Sequence, residues 1–123
     1  MTDSPAIASA RGLTKSFGRK EVLRRIDFTI PAGRIYGLLG LNGAGKTTTL
    51  NALLGLTDCG GRIEVLGLDP FRHRARLMNQ VAFVSDVASL PRFLKVHQLF
   101  ELIVALHPGF DRAKAEALLR VPT

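Results

Sequence analysis

The stretch Gly40-Leu41-Asn42-Gly43-Ala44-Gly45-Lys46-Thr47 constrains this chain more than any other. Its spacing is G-x-x-x-x-G-K-[ST], and each position has a mechanical task. Gly40, Gly43 and Gly45 admit backbone angles closed to other residues, so successive N–H groups can converge on one anion. A helix beginning at Lys46 adds the positive end of its dipole at the same point. The lysine then serves as a point charge for the β- and γ-phosphates. The Thr47 hydroxyl suits the Mg²⁺ that bridges them, and Thr48 suits the α-phosphate. A chance match in so short a chain is on the order of one per cent or less. The motif therefore predicts a bound nucleoside triphosphate and a strand–loop–helix around it.

The flanking residues agree with that context. Ile26, Phe28 and Ile30 alternate with Asp27 and Thr29, as in a half-buried strand. Pro31-Ala32-Gly33 reads as a type I turn. Ile35, Tyr36, Leu38 and Leu39 predict a buried strand over 34–39 that runs into the glycine loop. A helix is expected over 46–54, closed by Gly55. Residues 62–66 alternate around Ile63 and Val65, and Gly67-Leu68-Asp69-Pro70 ends them as a turn. A short basic helix over 72–79 leads to an apolar strand over 81–84. Val96, Leu99, Phe100, Ile103 and Val104 then recur at helical spacing, and the helix ends before Pro108-Gly109. Asp111 can cap a last helix over 112–120. Strands alternating with helices make the class α/β.

Size and charge bound the rest. The 123 residues suffice for one domain, and no apolar run approaches the roughly 20 residues of a membrane span. Cys59 is the only cysteine, so no internal disulfide forms, and a reducing, cytoplasmic setting is expected. The first ten residues lack the basic start of a secretory signal. A net charge of +7 suits an anionic partner without choosing one. The basic cluster Arg72, His73, Arg74 and Arg76 has no interleaved aromatics to stack bases, and reads as a solvated face.

From about Ala8 to Leu119 the sequence resembles the ATP-binding subunit of ABC transporters, and most specifically in Gly-Leu-Asn-Gly-Ala-Gly-Lys-Thr-Thr-Thr at 40–49. Leu41 stands where that family usually has proline. Gly12-Leu13-Thr14-Lys15-Ser16-Phe17-Gly18 looks like its first strand and adenine-stacking loop, which would make Phe17 the platform under the base with Val22 beside it. The plainer alternative for Phe17 is a core aromatic at a strand end. Residues 61–69 resemble the antiparallel segment, and Val81-Ala82-Phe83-Val84-Ser85-Asp86 the strand entering the Q-loop, with Asp86 where the family has glutamine. There Asp86 is a candidate Mg²⁺ ligand beside Thr47, or simply a loop acid or helix cap.

The resemblance implies a P-loop NTPase core with an antiparallel β subdomain, truncated before the end of the helical subdomain. Residues 1–39 and 61–70 are then mainly β, 40–55 the P-loop and its helix, 81–94 the Q-loop region and 95–123 the start of the helical subdomain. The site set is Phe17, Val22, Gly40, Asn42, Gly43, Ala44, Gly45, Lys46, Thr47 and Thr48 for ATP, with Thr47 and Asp86 for Mg²⁺. The implied partners are an integral membrane permease and a second ATP-binding subunit in a head-to-tail dimer, at the inner face of the cell membrane. No nucleic acid is expected. The apolar residues Leu90, Pro91, Phe93 and Leu94 lie where that family borders its permease groove.

Residues 1–123 contain no Leu-Ser-Gly-Gly-type signature, no apolar strand ending in Asp-Glu and no switch histidine. His73, His97 and His107 read as surface or helix residues. A fragment or truncated product is therefore expected, one that binds ATP and scarcely hydrolyses it. Two alternatives are an ABC-type ATPase acting on nucleic acid or ribosomes, and another P-loop class. A GTPase would need an Asn-Lys-x-Asp base reader, and no such run occurs.

Overall fold

The computed structural model describes residues 5–41, 43, 45–85 and 90–120. Its elements are β1 (Ala6–Phe17), β2 (Lys20–Pro31), α1 (Lys46–Leu53), β3 (Gly60–Val65), α2 (Arg74–Leu77), α3 (Val96–Leu106) and α4 (Arg112–Leu119). They fall into two compact units, Met1–Val81 and Ala82–Thr123.

In the first unit the three strands form one antiparallel sheet in the order β2-β1-β3. Ala10 stands opposite Phe28 on one side and Ile63 on the other, and Phe17 stands opposite Lys20 at the hairpin end. The alternation of 26–30 becomes the observed burial, with Ile26, Phe28 and Ile30 half-buried and their neighbours exposed. Leu13 and Leu23 are fully buried and cluster with Ala10 and with Ala52 of α1. A second cluster joins Ala8, Val65 and Leu77, flanked by Leu53 and Met78. Helix α1 thus lies against the sheet through its small and apolar residues, which fixes where its N-terminus points.

The end of α1 shows why its glycine is there. Gly55 N–H donates to the Ala52 carbonyl at 3.1 Å and Leu56 N–H to the Asn51 carbonyl at 2.9 Å, the paired bonds of a Schellman motif. That motif needs a left-handed residue, and Gly55 has φ +70°. A Cβ on Gly55 would also lie 2.0 Å from the Pro70 carbonyl oxygen. Beyond β3, Leu66 and Gly67 take φ +52° and +76° in a two-residue turn closed by reciprocal Val65–Leu68 backbone bonds. Asp69 Oδ1 then accepts from the N–H groups of Phe71 and Arg72 at 3.0 and 3.2 Å.

Two expected strands are not strands. Residues 34–40 and 81–85 have no regular structure, and Ile35 and Leu39 are 102% and 92% exposed. A buried parallel strand requires neighbours on both edges and cover on both faces. Among the described residues, every strand pair is antiparallel and none involves these segments. The basic helix is also shorter than expected, four residues at Arg74–Leu77.

In the second unit the helical spacing of 96–104 gives α3, and α4 begins at its expected cap. Asp111 Oδ1 accepts from Lys114 N–H at 3.0 Å. The Phe100 and Phe110 rings meet at 5.8 Å between centroids, tilted by 53°. No residue of α3 or α4 is fully buried.

Candidate functional site

The N-terminus of α1 is made by Gly45. Its φ of +97° and that of Gly43, +86°, are left-handed, so the chain turns sharply into the helix where a side chain would strain it. Space enforces the same choice. A Cβ on Gly45 would lie 2.7 Å from Leu23 Cδ2 and 3.3 Å from the Val22 carbonyl oxygen. The loop therefore rests directly on β2.

The three threonines that follow take different tasks. Thr49 is buried, and both its N–H and its hydroxyl donate to the Gly45 carbonyl at 2.8 Å, tying the first turn of α1 to the loop. Thr47 is exposed and Thr48 half-buried, and both line a cavity of about 240 Å³. Lys20, Val22, Gly43, Gly45 and Lys46 complete its lining. Lys46 is half-buried, and its Nζ donates to the Gly40 carbonyl at 2.5 Å, so the ammonium is held at the loop.

The cavity therefore brings together Val22, Gly43, Gly45, Lys46, Thr47 and Thr48, with Gly40 joined through the lysine bond. Asn42, Ala44 and Asp86 lie outside the described residues. Phe17 does not line the cavity. It sits at the hairpin end, 55% exposed, with Lys15 Nζ 5.4 Å from its ring centroid. Lys15 is anchored in turn by the Asp58 carbonyl at 2.6 Å. That exposure removes the core-aromatic alternative. Lys20 is the lining residue that the sequence reading left out. No motif marked it, and a register shift at Val22 interrupts the period of two, so only the folded hairpin brings Lys20 and Val22 to one cavity.

The cavity is smaller than the roughly 300–1,000 Å³ usual for drug-sized ligands, and it suits a phosphate chain rather than a whole nucleotide. Among the described residues its lining carries two ammonium groups and no carboxylate. Among the described residues no group of three or more His, Cys, Asp or Glu could hold a metal by itself. A cation here would take Thr47 as a hydroxyl ligand and complete its shell from phosphate oxygens and water, as Mg²⁺ commonly does.

Residues 23–121 match the family model described as ABC transporter. The chain belongs to that family. A Nod factor export ATP-binding protein I of Burkholderia lata is 52% identical over 112 residues, covering 89% of this chain and 36% of the relative. A bacitracin transport ATP-binding protein, BcrA, of Enterococcus faecalis is 30% identical over 118 residues, 94% of this chain and 38% of its own. The chain thus spans little more than a third of these relatives. A solved structure of the ATP-binding subunit of an ABC transporter superposes with a TM-score of 0.76 at 25% identity, covering 90% of this chain and 46% of that one. The fold of this ABC chain is accordingly that of a P-loop nucleotide-binding domain in part, with its antiparallel β subdomain present as β1–β3. Among the described residues no helix is long and apolar enough to cross a membrane.

Proposed function

We propose that this chain binds Mg-ATP through the 40–48 loop, as part of an ABC transporter ATPase that powers a membrane permease. The observation that carries the reading is the cavity over the start of α1, where Gly43, Gly45, Lys46, Thr47 and Thr48 converge. Backbone N–H groups, the helix dipole and Lys46 are all electropositive there, and a polyphosphate is the ligand they fit. Binding would draw the Lys46 ammonium from the Gly40 carbonyl to phosphate oxygens, exchanging a neutral acceptor for a charged one.

The base would stack on exposed Phe17, outside the cavity, with Val22 beside it on β2. Mg²⁺, when bound, neutralises phosphate charge, with Thr47 as its ligand from this chain and Asp86 as a second candidate. Residues 81–94 we read as the Q-loop region and 95–123 as the opening helices of the helical subdomain. The relatives' names, which include export and transport, support a permease partner; a place at the inner membrane face belongs to the same proposal. The head-to-tail pairing with a second ATP-binding subunit belongs to the same reading.

Turnover by residues 1–123 alone would be slight. They present no candidate base to polarise water, and electrostatic clamping without one leaves general base catalysis, typically about 10²–10⁴-fold, unused. The test is a fluorescent-nucleotide titration of the wild type and Lys46→Ala. Loss of Mg-ATP binding in the variant is expected, and unchanged affinity would sink the phosphate-loop reading.

A further inference from the structure

We propose that Lys20 is a second phosphate-binding lysine of the site, reading the charge at the nucleoside end of the polyphosphate. The proposal rests on the triphosphate reading of the loop and adds a residue outside the glycine motif.

Lys20 opens β2 and lines the cavity together with Lys46. Two contacts fix that wall. Gly45 lies against Leu23 and the Val22 backbone, and Lys20 and Val22 both line the cavity from β2. Its ammonium makes no hydrogen bond or ion pair with the described residues, whereas Lys46 is already tied to a carbonyl. The adjacent carboxylate does not compensate it. Glu21, the next residue along the strand, pairs instead with Arg24 at 3.6 Å. Among the described residues the cavity therefore carries a positive charge without a partner, which a phosphate oxygen would meet.

The position along the ligand follows from the register. Lys46 starts α1 and faces the β- and γ-phosphates. Lys20 is at the other end of the wall, directly opposite Phe17 across the hairpin. A chain of phosphates running from the loop toward a base on Phe17 passes its α-phosphate beside Lys20. The same contact is available to ADP, and to inorganic tripolyphosphate through its third phosphate.

The experiment titrates wild type, Lys20→Met, Lys20→Arg and Lys46→Ala with ATP, ADP and tripolyphosphate at low and high salt, with circular dichroism to check the fold. Lys20→Met is expected to weaken all three ligands roughly three- to tenfold at low salt, with a flatter salt dependence. Lys20→Arg should recover most of the loss. If Lys20→Met binds like the wild type while Lys46→Ala loses binding, the proposal is overturned and the loop reading stands. A loss confined to ATP would place Lys20 at the γ-phosphate, and a loss that spares tripolyphosphate would place it on the nucleoside; either overturns the assignment. Failure of the wild type to bind any of the three would instead remove the loop reading itself, and this proposal with it.

Discussion

Two apolar stretches that follow one another in the chain meet opposite fates. Leu23 in β2 is completely buried, packed with Leu13, Ala10 and Ala52, whereas Leu39, just before the glycine loop, is 92% exposed. Leu39 was expected in a buried strand and Leu23 in a region expected to be mainly β, and both carry the side chains for it. The difference is in their neighbours. β2 pairs with β1 across a short hairpin, so its partner is close in sequence and the entropic cost of meeting it is small. Residues 34–40 would have to pair with parallel strands, which come only from distant parts of a chain. A hydrophobic run is a strand only where another strand completes it.

The sharpest way to break that comparison is a pair of truncations. Leu23→Ala should destabilise the fold by about 2–5 kcal/mol in chemical denaturation, since it opens a cavity in the main cluster. Leu39→Ala should stay within about 0.5 kcal/mol of the wild type. Comparable costs for the two would mean that 34–40 is a packed strand after all.

A second contrast lies within the proposed nucleotide site, between the cavity at the start of α1 and the exposed ring of Phe17. Phe17→Ala is expected to weaken ATP by roughly 1–3 kcal/mol and leave tripolyphosphate almost unchanged. Equal losses for the two ligands would show that Phe17 acts by shaping the hairpin. The smallest effect concerns the second unit, where α4 depends on a local cap rather than on a core. Asp111→Ala should cost about 1 kcal/mol of local stability, read as faster amide exchange across 112–119. No change there would mean that tertiary packing, not the cap, maintains α4.

The legible features share a physical origin. The helix after the glycine loop, its close at Gly55, the Asp111 cap and the alternation of 26–30 are encoded by residues within a turn or two of the place they act. Each was readable for that reason. The missed residue, Lys20, belongs to no motif; it reached the cavity because the hairpin set β2 beneath Gly45, a contact between positions more than twenty residues apart. Phe17 was placed by resemblance, and its exposure shows that the ring is not part of the core.

What could be read from the residues alone was the composition of the loop: glycines that free the backbone, and a lysine and threonines suited to phosphate, all close together along the chain. Tertiary structure decided what stands around it. It buried Thr49 and left Thr47 and Thr48 in the cavity, laid Lys20 and Val22 along one wall, and left Ile35 and Leu39 uncovered. The reason is the range of the forces. Backbone angles and caps are settled between neighbours in sequence, whereas burial and strand pairing wait on partners that no short stretch can name.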